Sequence, residues 1–411
     1  MGTNPMYCSK ASCTVGFLLI VGTIPLASGQ DLPAMALKEK PALAVGATLD
    51  TRGDLWLAYQ ESGHLWVKRT NDDGRRFTPP VQVTPVPESV TADSENRPKI
   101  LVGANGIVHL SWTQNLGERM TGYIRYARST DDGKSFSPPV TLNSDRQIIS
   151  HRFDTLATDG QGGVAVAWLD ARSRIGKQPK GSPQTQVGVY AAVSRDGGAR
   201  FAPDRRVADH SCQCCRTGMA WTKHGPIVFW RHVFGKNIRD FAVADVMGGT
   251  VIRVTDDEWE IDGCPHHGGG IAADGHDNLH IVWFTAGKNR QGIFYRRLAG
   301  PDFRSDDKLA GFGMMSPPMP LGNSANQPGH PSVVAIGERV LLSWREFDGE
   351  RYSVRAMLSR DAGETWGAPQ KLAETRGAAD YAVPAINEQH ALVVWNTADE
   401  GLRVLSVGAA P

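Results

Sequence analysis

The chain has 411 residues, with 44 Lys+Arg against 43 Asp+Glu and 41% hydrophobic residues. A net charge of +1 leaves no electrostatic footprint for nucleic acid or an acidic membrane surface, and the apolar fraction is enough for a large folded core. No stretch after residue 30 is apolar enough to span a bilayer.

In chain order, residues 1–29 read as an export signal. Lys10 gives a positive start, residues 15–26 are an apolar run, and Ala27-Ser28-Gly29 supplies small residues for cleavage before Gln30. The run is too short for a transmembrane helix. Residues 30–411 are then expected to be a single periplasmic or secreted domain. Cys8 and Cys13 leave with the signal, and Cys212, Cys214, Cys215 and Cys264 remain in a compartment that permits disulfides.

A short apolar strand, usually closing on Trp, recurs along the rest of the chain. It begins as Leu55-Trp56-Leu57-Ala58-Tyr59 and continues as strands ending at Trp112, Trp168, Trp230, Trp283, Trp344 and Trp395. The seven copies stand 51 to 62 residues apart, with Gly/Asp turns between them. Even spacing of short β-rich runs, and no sustained 3.6-residue period, predicts an all-β chain: one β-propeller of seven blades, each a four-stranded antiparallel sheet. Six blades is the alternative if a terminal unit is irregular. The last unit stops after its third strand, and residues 35–37 are the candidate for the missing fourth.

A second signature sits between the third and fourth strands. It reads Thr70-Asn71-Asp72-Asp73-Gly74-Arg75-Arg76-Phe77, and returns at Ser129 to Phe136, Ser194 to Phe201 and Ser359 to Trp366. Asp accepts bonds from backbone N–H groups, Gly supplies positive φ, and the aromatic packs underneath. These segments resemble the Asp-boxes (BNR repeats) of the sialidase family. The resemblance spans nearly all of residues 40–407. It implies the propeller, but little about activity, because Asp-boxes are structural turns in that family.

Antiparallel alternation puts the Asp-box turns on one face and the starts of the inner strands on the other. Those starts carry an uncommonly charged set: Arg97, His151, Arg152, Asp154, Arg216, His330, Asp380 and Tyr381, with Asp170, Arg231, His232, Arg239 and Glu346 in loops of the same face. A ligand site is expected at this mouth, for a small molecule or a glycan; the sequence names no protein partner.

All four remaining cysteines reach this face from adjacent units, as Cys212-Gln213-Cys214-Cys215 and Cys264-Pro265-His266-His267. Two readings stand open. Disulfides such as 212–264 or 214–264 would staple neighbouring blades, giving a non-enzymatic binding module. Alternatively Cys212, Cys214, Cys215, Cys264, His266 and His267 hold a transition metal, copper before zinc, because thiolates and imidazoles favour these ions and the spacing is not that of a zinc finger. The Cys-x-Cys-Cys-Arg and Gly-Cys-Pro-His segments are similar to those of some exported sialidase-like proteins, a likeness that implies no reaction.

The sialidase resemblance also implies a glycosidase alternative. Such a site needs arginines on a sugar carboxylate, a Tyr nucleophile with a Glu base, and an Asp acid–base. By location these are Arg97, Arg152 and Arg216, then Tyr381 with Glu346, then Asp154. Asn96-Arg97-Pro98 matches the family's Arg-Ile-Pro element only loosely, and paired cysteines and histidines form no part of that chemistry.

Overall fold

The computed structural model describes residues 42–93, 95–174, 187–299 and 315–408. The expected signal segment and the proposed closing strand at residues 35–37 lie outside the described residues. No helix among the described residues is long and apolar enough to cross a membrane.

The chain forms a seven-bladed propeller of antiparallel sheets, six with four strands and a last sheet with three among the described residues. The inner strands are Gly46–Leu49, Lys99–Val102, His151–Thr158, Gly218–Thr222, Gly270–Ala273, Gly329–Ile336 and Val383–Ile386. Each neighbours the next around the ring, and the last neighbours the first. The closing joint is also polar: Asn387 Nδ2 donates to the Asp50 carbonyl at 3.1 Å, and Asn396 Nδ2 to the Leu43 carbonyl at 2.9 Å.

The second strands carry the recurring tryptophans, all seven buried between blades. An indole N–H removed from water needs an acceptor. Trp112, Trp168, Trp283 and Trp344 find one in Glu88, Asp170, Asp257 and Glu346, at 2.7 to 3.0 Å. Trp395 uses the Asp380 carbonyl. Trp56 stands at the start of its strand instead of the end, and reaches Asp50 on the opposite face. Trp230, in the blade that carries Cys212 to Cys215, has no partner for its Nε1 among the described residues.

The four Ser/Thr-x-Asp turns share one bond set. The hydroxyls of Thr70, Ser129, Ser194 and Ser359 donate to Asp72, Asp131, Asp196 and Asp361 at 2.7 to 2.8 Å. Each Asp then accepts from the backbone N–H four residues on, at 2.9 to 3.0 Å. Bonds from the Ser135 and Thr365 hydroxyls, together with these, hold Asp131 and Asp361 below the usual carboxylate range. The turn glycine lies against the preceding blade. A Cβ on Gly198 (φ +77) would overlap the Tyr126 hydroxyl, one on Gly363 that of Tyr295, one on Gly133 the Trp56 ring, and one on Gly74 the Val404 side chain. The turns therefore wedge one blade against its predecessor. Phe201 and Trp366 complete two of these joints edge-on to Tyr126 and Tyr295, at 4.7 and 4.8 Å between ring centres.

Gly198→Ala is expected to destabilise the fold by about 1–3 kcal/mol through overpacking, beyond the cost of left-handed backbone. Gly235→Ala is the control, since Gly235 also has positive φ but open space at its Cβ. Urea denaturation of the two variants should separate them, with Gly198→Ala unfolding at the lower concentration.

Candidate functional site at the propeller mouth

The mouth is organised by a residue absent from the sequence expectations. Glu95, just before the second inner strand, is buried and reaches across the ring. Its Oε1 accepts from Arg216 Nη1 at 2.8 Å and from His330 Nδ1 at 2.9 Å; its Oε2 accepts from the N–H of Gly268 at 2.6 Å and of Arg216 at 3.2 Å. One carboxylate thus ties the second unit to the fourth, fifth and sixth. Gly268 permits the approach, because a Cβ there would overlap both Arg216 and Glu95. Arg216 also donates to the carbonyls of Gly269 and Pro331 at 3.1 and 2.6 Å. Burial alone would push the Glu95 carboxyl up, but the Arg216 guanidinium and the bond from His330 hold it well below the usual range. Burial lowers His330 as well, while its bond to Glu95 acts in the other direction.

Two inner strands bulge at the mouth. The ladder skips across Phe153 and Asp154 in one blade and across His330 and Pro331 in another. A bulge re-aims a side chain, and both sites use left-handed backbone, at Phe153 (φ 59) and His330 (φ 53). His330 is thereby turned into a column of rings. It stacks on Tyr381 at 3.5 Å between centres and on His267 at 4.3 Å, and His267 stacks on Phe284 at 4.1 Å. The guanidiniums of Arg345 and Arg97 stand 4.8 and 5.9 Å from the Tyr381 ring. His267 is lowered to about 3, by burial first and then by His330.

The expected glycosidase residues are placed as follows. Arg97 grips Asp380 through two bonds, of 2.8 and 2.7 Å, and Arg216 grips Glu95. Both arginines therefore already face an internal carboxylate. Arg152 has the more exposed Asp93 at 3.8 Å. Asp154 is buried and accepts from Ser111 and Thr113 at 2.6 and 3.1 Å. Glu346 receives Trp344, the Asn323 N–H, Asn326 and Arg355, at 3.0 to 3.4 Å. It fills the same Trp-clamping place as Asp170 in its own blade. Tyr381 lies in the ring column. Lys99, not anticipated, is half-buried beside this set; burial lowers it to about 8, with Asp154 acting in the other direction.

The cysteine segments meet on the same face. All four described cysteines are free. Cys212 Sγ is 3.8 Å from Cys214 Sγ and 3.7 Å from Cys215 Sγ. Two thiolates at about 2.3 Å from one ion stand about 3.8–4.0 Å apart at tetrahedral to trigonal angles. The spacing therefore fits a shared metal ion, and this Cys/His group can hold one. Cys212 is pinned by its N–H to the Arg231 carbonyl at 2.9 Å and accepts from Arg239 Nη1 at 3.2 Å. Bonds from the Cys214 and Cys215 thiols, with Arg231 and Arg239, hold Cys212 well below the ordinary thiol range. The bond to Cys212 pushes Cys214 up, and burial does the same to Cys215. Cys212, Cys214 and Cys215 are buried, Cys264 half-buried and His266 exposed. His267 turns away from the sulfurs into the ring column. A cavity of about 560 Å³, lined in part by Met120, Ser150 and Gln213, opens beside the cluster.

No protein-family model matches the chain, and no curated protein matches it. Solved structures share the fold. A polysaccharide lyase, an ulvan lyase bound to -[GlcA(1-4)Rha3S]-, superposes over 89% of this chain and 95% of its own, at 13% identity and TM-score 0.50. An α-L-arabinanase of Penicillium chrysogenum covers 89% and 92%, at 12% identity and TM-score 0.47. A sialidase of Streptococcus pneumoniae covers 74% and 65%, at 8% identity and TM-score 0.45. At these identities the likeness concerns architecture alone.

Glu95→Gln is expected to cost about 3–5 kcal/mol at pH 7, because it leaves the Arg216 guanidinium buried without its counter-charge. The sign with pH follows from the depressed carboxyl. The stability contributed by Glu95 is complete above its unfolded value of 4.5 and is lost as pH falls below it. The gap between the unfolding free energies of wild type and variant should therefore begin to narrow as pH falls below about 5 and keep narrowing to the lowest pH at which the fold survives, whereas a constant gap from pH 7 to pH 3 would remove Glu95 from this role.

Proposed function

We propose that the chain is an exported propeller of the sialidase-like, Asp-box type, whose mouth binds a thiophilic transition-metal ion, copper(I) before zinc, at the Cys/His cluster. The observation that carries this reading is the sulfur geometry, with free thiols 3.7 to 3.8 Å apart around Cys212. Disulfides would account for cysteines in an exported chain, but not for a buried sulfur that accepts a bond from the Arg239 guanidinium. Soft thiolates favour copper(I), and the short Cys-x-Cys-Cys segment differs from the spaced ligands of structural zinc sites. Half-buried Cys264 and exposed His266 form the side from which an ion would enter.

Protein purified from its export compartment, or reduced and titrated anaerobically with copper(I), is expected to retain copper through desalting. Cys212→Ser should lower the retained copper while the circular dichroism stays unchanged. Arg239→Met removes a bond to a ligand sulfur without touching the ligands and should weaken copper binding about 10–100-fold, measured against a competing copper(I) chelator. Protein that holds no copper or zinc and contains no free thiols would sink the proposal.

A second reading rests on the guanidiniums around Tyr381. Arg345 lies over the ring and Arg97 stands beside it in its pair with Asp380; the Arg345 guanidinium suits the charge of an acidic glycan, with Tyr381 as nucleophile and Asp154 as acid. Under it, Tyr381→Phe abolishes cleavage of sialosides or uronate-containing glycans while binding in a glycan-retention assay persists. Wild-type protein that neither retains nor cleaves such glycans would remove the reading.

A further inference from the structure

The donors of the cluster do not gather around one point. Cys212, Cys214 and Cys215 form one group whose ligand atoms all lie within 4.8 Å of one another, and Cys214, Cys264 and His266 form another. No group of four satisfies the same limit, although all five residues are described. A tetrahedral ion would need its four donors mutually near about 3.8 Å. The cluster instead offers two three-donor sites, one of three sulfurs and one of two sulfurs and an imidazole. Cys214 belongs to both.

From this sharing we propose that the cluster is a dinuclear copper(I) centre, with the Cys214 thiolate bridging one ion held by Cys212 and Cys215 and a second held by Cys264 and His266. The inference rests on the metal-binding reading above and adds its nuclearity. Charge supports it independently. Ligating thiols are deprotonated, so four thiolates and two monovalent ions leave a net charge of minus two. The guanidiniums of Arg239, bonded to Cys212, and Arg231, whose charge reaches Cys212 and Cys215, match that value. Two divalent ions would leave the cluster neutral and both buried guanidiniums uncompensated, which selects against a zinc pair. A single divalent ion on four thiolates would balance the charge, but the sulfurs are not arranged for it. His266 is held in left-handed backbone (φ 53), strain of the kind that persists where a side chain must be aimed. Gln213, between two ligands, donates to Cys264 Sγ at 3.5 Å and links the two halves.

The two halves differ in burial, so they should fill in a defined order of strength. The three-sulfur site is sealed, and the Cys264/His266 site is open to solvent.

The test is an anaerobic copper(I) titration of the reduced full-length chain, with bound copper counted after desalting and X-ray absorption recorded at saturation. Two coppers per chain and a copper–copper scattering vector are expected. Cys264→Ser and His266→Ala should each hold one copper and lose that vector, while Cys214→Ser should lose the vector and bind both ions at least 100-fold more weakly. Circular dichroism of each variant checks that the propeller is intact, and the wild-type stoichiometry stands whatever the variants do. One copper per wild-type chain, unchanged in Cys264→Ser, would overturn the dinuclear centre and leave the metal site standing. No copper in the wild type would overturn both.

Discussion

A carboxylate lies buried at the middle of the ring, and the mouth is built around the need to keep it charged. Removing an ion from water costs several kcal/mol unless partners surround it. Glu95 draws those partners from three blades other than its own: a guanidinium and two backbone N–H groups from the fourth and fifth units, and an imidazole from the sixth. Much else on this face follows. Arg216 must extend toward the axis, Gly268 must lack a side chain, and His330 must leave the ladder in a bulge. Once turned, its ring has flat neighbours on both sides, and the column from Phe284 to Tyr381 forms. A buried ion pair of this kind adds little net stability over an apolar packing, but it fixes which blades meet and in what register.

One short segment serves two chemistries. Cys264 and His266 face the sulfur cluster, His267 enters the ring column, and Gly268 and Gly269 bind Glu95 and Arg216. Six residues thus join the cluster to the mouth. Arg231 makes a parallel link, since it donates to the His267 and Phe284 carbonyls while its charge acts on Cys212.

The architecture was legible because it repeats. A strand ending in Trp and a turn of Ser/Thr-x-Asp need only local spacing to be seen, and both recur in phase with the blades. The cysteine and histidine pairs were legible because their residue types are rare. The mouth was legible only in outline. Arg97, Arg216 and Tyr381 stood out as charged or aromatic residues at inner-strand starts, and the structure sets them against Asp380, Glu95 and His330. Glu95 did not stand out, because nothing within a few residues marks it; its partners lie 121, 173 and 235 residues away. Lys99 did not stand out either, because alternation does not tell a lysine held on a neighbouring carbonyl, as it is on that of Arg97, from one in solvent. Glu346 was read as a base for Tyr381 from its position on the face. Its neighbour two residues back, Trp344, explains it better, and the matching pair of Trp168 and Asp170 in another blade was visible in the sequence all along.

The glycine wedges have a direction: each turn rests on the blade before it in the chain. At Gly74 the blade before is the last one, and Val404 fills the place that Tyr126 fills for Gly198. The joint between the last blade and the first is thus built like three of the other joints. In packing terms the ring has no first blade. The peptide could be opened in another connection and sealed at this one, and the same set of wedges would still close the circle.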